Sequence, residues 1–121
     1  MNTTFYDKGG NPICYTEDSV HIYSFSGVPL AYFHQDSIYS FDGQHLAWCV
    51  DGWLRDHSGL CILFTKEAKG GPAKPGCFGL PGKAGRLGLS GKSGRQAKPA
   101  RPALAVTWSG ISAAELFPAL Q

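Results

Sequence analysis

The chain has 121 residues, enough for one domain with a modest core plus appendages. It is 43% hydrophobic, yet no run approaches the ~18 consecutive apolar residues of a membrane-spanning helix. The net charge of +2 hides a split: residues 1–68 carry three Lys/Arg against eight Asp/Glu, and residues 69–121 carry eight against one.

That asymmetry predicts either a basic tail for an acidic partner or docking of one half on the other. The start, Met1-Asn2-Thr3-Thr4, lacks a basic cluster and an apolar run, so no secretory leader is expected. Cys14, Cys49, Cys61 and Cys77 form no CxxC pair. Reduced, part-buried thiols are therefore expected rather than a disulfide framework or a zinc site. A cytoplasmic location is the matching expectation.

Residues 3–67 hold one pattern four times. Its markers are Gly10, Gly27, Gly43 and Gly59, spaced seventeen, sixteen and sixteen residues apart. Five residues before each stands Phe5, Ile22, Ile38 or Leu54, and three before it a turn-former, Asp7, Ser24, Ser40 or Asp56. Three residues after it comes Ile13, Leu30, Leu46 or Ile62, and five after it Tyr15, Tyr32, Trp48 or Phe64. Each unit reads strand, turn, strand. Gly9-Gly10 and Asp42-Gly43 predict type I′ turns. The Ser-Gly pairs also allow a longer loop with glycine in the left-handed position. By the period of two, the aliphatic at +3 and the aromatic at +5 share a strand face and form an inward pair. Four hairpins that pool such pairs predict an all-β fold closed around a pseudo-fourfold axis. An open twisted sheet is the alternative. Residues 1–68 form this four-hairpin β domain.

The run from Tyr32-Phe33-His34-Gln35-Asp36 through Phe41-Asp42-Gly43-Gln44-His45-Leu46-Ala47-Trp48 and Asp51-Gly52-Trp53-Leu54-Arg55-Asp56-His57-Ser58-Gly59 resembles the bacterial 4-fold beta flower domain family. Gly70-Gly71-Pro72-Ala73-Lys74-Pro75, Lys98-Pro99-Ala100-Arg101-Pro102-Ala103 and Trp108-Ser109 are similar to that family's basic, proline-repeating tail. The resemblance covers nearly the whole chain. It implies an all-β core of four hairpins and supplies no activity.

Residues 69–103 form the second segment and keep a period of three. Positions 73, 76, 79 and every third residue to 103 are Gly or Ala. The next phase holds Lys74, Lys83, Arg86, Lys92, Arg95, Lys98 and Arg101, broken by Cys77, Leu80 and Leu89. The last phase runs Pro75, Phe78, Pro81, Ala84, Leu87, Ser90, Ser93, Gln96, Pro99 and Pro102. Polyproline II has three residues per turn, so the phases become small, basic and proline/apolar ridges. A disordered linker, a collagen-like trimer and a packed polyproline II strand all match the composition. Alanine at 97, 100 and 103 argues against collagen, and sustained phase argues against a linker. A long arm with little core of its own predicts a homo-oligomer, with a trimer as one form.

Residues 104–121 form a C-terminal anchor. Leu104–Trp108 reads as a strand, and Ser112-Ala113-Ala114-Glu115 has capping-box spacing ahead of a short helix ended by Pro118. Ile111, Leu116, Phe117 and Leu120 are expected to pin the arm's end to the body.

Nothing in the spacing predicts catalysis, and no cofactor or metal is expected. His21, His34, His45 and His57 fall at unequal offsets from their glycines and are not expected to converge. Asp56-His57-Ser58 has triad residue types, but consecutive turn residues cannot adopt triad geometry with one another. The acids Asp18, Asp36, Asp51 and Glu67 recur at turns, where turn chemistry explains them. Tyr6, Tyr23 and Tyr39 recur four residues before the glycine, with Arg55 in the fourth place. With Trp53 they are candidates for stacking glycans or nucleic-acid bases. Lys83, Arg86, Lys92, Arg95, Lys98 and Arg101 are candidates for phosphate contacts. The preferred expectation is a non-enzymatic interaction or structural module that self-associates through the basic arm. A ligand-binding module for glycan or nucleic acid is the alternative.

Overall fold

The computed structural model describes residues 2–89 and 91–120. Met1, Gln121 and Ser90, a member of the proline/apolar phase, lie outside the described residues. Eight antiparallel strands close into a barrel in sequence order: β1 (Thr3–Tyr6), β2 (Pro12–Thr16), β3 (His21–Ser24), β4 (Pro29–His34), β5 (Ser37–Tyr39), β6 (His45–Val50), β7 (Trp53–Arg55) and β8 (Cys61–Phe64). Closure satisfies the edges that an open sheet would expose. The last seam is short, with Tyr6↔Phe64 as the register pair between β1 and β8.

The four glycine turns share one geometry, and it is not type I′. Positive φ occurs at Gly10, Gly27, Gly43 and Gly59 but not at Gly9 or Asp42. Each glycine N–H donates to the carbonyl three residues back: Asp7 at 2.9 Å, and Ser24, Ser40 and Asp56 at 3.0 Å. The turn-former explains the preference. Asp7 and Asp56 carboxylates and the Ser24 and Ser40 hydroxyls accept the N–H of the residue after the glycine, at 2.9–3.1 Å. The type I′ signature belongs instead to Asp51-Gly52, whose φ values are 51° and 86° between the paired residues Val50 and Trp53.

The inward pair also differs from the +3/+5 expectation. In all four strand pairs the register shifts by one residue just before the turn. Phe5, Ile22, Ile38 and Leu54 therefore oppose Cys14, Ala31, Ala47 and Leu63. A bulge of this kind breaks strict alternation. Residues at +3 and +4 pack in the main core with the −5 residues. The +5 aromatics form a separate buried layer: Tyr15 stacks on Tyr23, Tyr32 on Tyr39 and Phe64 on Tyr6, with centroids 5.6–6.1 Å apart.

Leu104–Trp108 forms no strand. It makes one parallel bridge, Trp108 to Cys61, and bends at 106–107. Both edges of β8 are already taken by β7 and β1, so a further strand gains a partner only where β8 begins. The helix α1 (Ala113–Leu116) carries the expected capping box from Ser112 and Glu115. Leu116 and Phe117 join the main core and Leu120 packs against it, whereas Ile111 is 42% exposed. No helix among the described residues is long and apolar enough to cross a membrane.

Candidate functional site

The sequence candidates converge where residues 73–105 cross the four glycine turns. The described residues of this segment form no helix or strand. Its backbone is held by the turns themselves. The N–H groups of Phe78, Leu87, Gln96 and Ala105 donate to the carbonyls of Gly10, Gly27, Gly43 and Gly59 at 2.7–3.2 Å. Those donors are nine residues apart. Ala84 and Ser93 add bonds to the carbonyls of Phe25 and Phe41. Nine residues before Ala84 and nine after Ser93 stand Pro75 and Pro102, which have no N–H to give.

Contact at each turn is close enough to require glycine there. A Cβ on Gly10, Gly27, Gly43 or Gly59 would lie 2.1 Å from the carbonyl oxygen of Gly76, Gly85, Gly94 or Ala103. By contrast, a Cβ on Gly76, Gly85 or Gly94 meets nothing within 4 Å. The small ridge thus presents its carbonyls, not its Cα positions, to the barrel.

The basic phase points inward onto the aromatic layer. Lys83, Lys92 and Arg101, nine residues apart, lie over Tyr15, Tyr32 and Trp48 at 4.4, 4.5 and 5.7 Å. Arg86 and Arg95 lie over Tyr23 and Tyr39 at 5.0 and 5.9 Å. Carboxylates complete the docking. Lys83 and Arg86 pair with Glu17 at 2.9 and 2.8 Å, and Lys98 and Arg101 with Asp36 at 2.8 and 2.9 Å. The Lys83 hydrogen bond holds the Glu17 carboxyl below its usual range, and the Lys98 hydrogen bond does the same for Asp36. Pairs this exposed contribute little singly. Their value is repetition and register.

Tyr6, Tyr23, Tyr39 and Trp53 are consequently buried, each 6% exposed or less, and form no open stacking platform in this state. Arg55 takes a different part. Its guanidinium is 2% exposed and donates to the carbonyls of Gly59 at 2.8 Å, Ala105 at 2.5 Å and Gly70 at 3.1 Å. It thereby joins both ends of the segment to the barrel. Opposite Arg55 the nine-residue spacing places Leu104 where its counterparts are Arg86 and Arg95. Two cations do not face each other there.

A family model for 4-fold beta flower proteins matches residues 3–117. The chain belongs to that family. No curated protein and no solved structure matches it. The family description names a shape and no activity.

Two histidines of this beta flower protein do meet, contrary to the offset argument. His45 Nδ1 is 2.9 Å from His57 Nε2, and His45 Nε2 is 2.9 Å from the Ser37 hydroxyl. His45 opens β6 and His57 lies in the turn after β7, so the pair joins neighbouring units, which counting from each glycine does not reveal. Ser37 has 0% exposure, so the chain runs from the exposed His57 through His45 into the core. Asp56 takes no part in it. Its carboxylate accepts the Ser58 and Leu60 N–H groups and the Ser109 hydroxyl. Among the described residues no group of three His, Cys, Asp or Glu is placed to hold a metal.

Burial, then the neighbouring His57 and Lys98, push His45 below the usual imidazole value, with Asp36 opposing weakly. The unfolded chain therefore takes up a proton at higher pH than the fold does. Stability is full above the unfolded value of 6.5 and falls as pH drops below it. Thermal melts at about pH 7.5 and about pH 5, above the ordinary carboxylate range, should show a lower midpoint at the acid value. His45→Gln should flatten that difference; an unchanged drop would assign it to other groups.

Proposed function

We propose that this protein is a non-enzymatic bacterial interaction or structural module, cytoplasmic, that self-associates through its arm. In this reading residues 1–68 are four consecutive hairpin repeats about a pseudo-fourfold axis. Residues 69–103 are a basic polyproline II-like arm, and residues 104–121 anchor its end. The nine-residue spacing of arm contacts supports a helix of three residues per turn, since nine residues are three whole turns.

One observation carries the self-association. The arm's cations face its own barrel, while Phe78, Leu80, Leu87 and Leu89 are 64%, 53%, 59% and 46% exposed. Phe78 and Leu87 are nine residues apart, as are Leu80 and Leu89, so the first pair repeats beside two adjacent turns, while Leu80 borders the pocket lined by Thr3, Thr4 and Phe33. The same places over the other turns hold Gln96, Lys98, Ala105 and Thr107. The apolar face is one-sided, as an isologous or cyclic contact between copies requires. Because the basic ridge is occupied internally, assembly is driven by apolar burial and should survive high salt. Size-exclusion chromatography with light scattering gives the stoichiometry, a trimer included. Phe78→Ser with Leu87→Ser should shift an oligomeric wild type to monomer. A wild type that runs as a monomer at high concentration, or an oligomer dispersed by salt alone, would overturn the reading.

A further inference from the structure

The two ends of the barrel are built differently. The end carrying the glycine turns is covered by the C-terminal stretch, where Trp108–Ala113 flank Asp7, Lys8 and Ile62 and Leu116 and Phe117 enter the core. The opposite end, at the links between strand pairs, opens into a cavity of about 850 Å³. That lies within the ~300–1,000 Å³ typical of small-molecule sites, which favour the mouths of β-barrels.

Its walls divide by chemistry. On β1 and the neighbouring ends of β2 and β8 it is lined by Thr3, Thr4, Thr16 and Thr65. On β4 and β6 it is lined by Phe33 and Cys49, with Phe5 below. The Phe5 and Phe33 rings are 6.2 Å apart and tilted by 35°, so the part-exposed Phe33 rests on a buried ring. Thr16, Phe33, Cys49 and Thr65 hold the same place, six residues after their glycines. The asymmetry is therefore written in side chains and not in the backbone. The charged residues at the rim are Lys66 and Glu67, one of each sign. The short β1–β8 seam, with Tyr6↔Phe64 as its register pair, leaves this side of the mouth wide.

We propose that the link-end mouth of the barrel is a binding site for a neutral small molecule with an aromatic or alicyclic face and a hydroxyl- or carbonyl-bearing edge. The ring face packs on the part-exposed Phe33, which Phe5 backs from the core. The polar edge meets the hydroxyls of Thr3 and Thr4, the two part-exposed threonines of the opposite wall, which can donate or accept. A net-neutral rim gives no preference for an anion or a cation, which separates this site from the basic ridge.

The test uses the full chain and the neutral fluorophore N-phenyl-1-naphthylamine. Titration should give saturable enhancement at one site per chain. Phe33→Glu places a carboxylate in the apolar wall and should weaken the dye at least about tenfold. Val106→Ser removes an exposed apolar side chain outside the cavity and should leave binding unchanged. A second readout does not depend on the Phe33 variant folding. In a Cys77→Ser chain, saturating dye should slow N-ethylmaleimide labelling of Cys49, a thiol that lines the cavity and is only partly exposed. Absence of saturable binding, equal affinity in Phe33→Glu, or an unchanged Cys49 labelling rate would each overturn the proposal.

Discussion

Replacing Gly27 with alanine should lower stability by about 3–5 kcal/mol, whereas the same change at Gly85 should leave it within about 1 kcal/mol. The two glycines touch each other, yet only one is confined. Gly27 has φ of +90°, and its added Cβ would lie 2.1 Å from the Gly85 carbonyl oxygen and 3.0 Å from the carbonyl carbon. Left-handed strain in a residue with a side chain costs about 1–3 kcal/mol. The clash adds to it, because both partners are backbone. Moving the segment away weakens the Leu87 and Ala84 N–H bonds to Gly27 and Phe25, each worth about 1 kcal/mol. Gly85 has no positive φ and open space beyond its Cα. Alanine there also restricts the unfolded chain, which favours folding by about 0.4–1 kcal/mol. Urea unfolding of both variants decides the matter. The contrast also distinguishes packing on the chain's own barrel from a collagen-like trimer. In a triple helix Gly85→Ala would be the damaging change, since only glycine fits the crowded axis.

Arg55→Met should cost about 3–5 kcal/mol and loosen both ends of the segment at once. The guanidinium fork serves three carbonyls, from the last glycine turn, the start of the segment and its end. Hydrogen bonds from a charged donor contribute about 1.5–3 kcal/mol each; the bond to Gly59 is buried and that carbonyl keeps the Ala105 N–H, while the bonds to Ala105 and Gly70 are part-buried and contribute at the low end. Methionine keeps the stem's volume, so the loss reports the polar contacts and not a cavity. Arg55→Lys should recover only part, because an ammonium lacks the planar fork. Hydrogen exchange gives the local signature. The Ala105 amide, bonded to Gly59, should exchange much faster in the variant, while strand amides of β3–β6 change no more than global stability dictates. Uniform acceleration across the barrel would show that Arg55 acts on the core and not as a clasp.

The unit length and the turn positions were legible because turn chemistry is local. Asp7, Ser24, Ser40 and Asp56 cap their own turns, so their spacing shows in the sequence. The inward face was harder. Alternation placed Tyr15 with Ile13, whereas the bulge turns Ile13 and Cys14 together into the core. A signal was present: Ile13-Cys14-Tyr15, Leu30-Ala31-Tyr32, Leu46-Ala47-Trp48 and Ile62-Leu63-Phe64 are unbroken apolar triplets, which a simple two-faced strand does not need. The three-residue phase of the segment was also legible. Its nine-residue phase, which Lys74, Lys83, Lys92 and Arg101 display, has no local chemical cause that would single it out in the sequence. Nine residues only acquire meaning once the distance between adjacent turns is known. Arg55 stood out as the break in the tyrosine column, but its clasp joins residues fifty positions apart, and no local pattern predicts that. The mouth cavity left no sequence mark, since Thr16, Phe33, Cys49 and Thr65 share a place without sharing chemistry.

The segment's contacts with the four turn glycines have a consequence for how such chains can lengthen. Gly10, Gly27, Gly43 and Gly59 advance by sixteen or seventeen residues, while their partners Gly76, Gly85, Gly94 and Ala103 advance by nine. The chain goes round twice, once as barrel and once as belt, at two gauges that must finish together at Arg55. Adding two strands to the inner circuit would strand the outer one nine residues short. A three-residue deletion in the belt would keep its small phase in step yet move Lys92 off Tyr32 and Leu104 off Arg55. Length changes in the two halves are thus geared. The inner circuit accepts them in units of sixteen only when the outer one follows in units of nine, and a chain that drifts in one half alone loses its fastening.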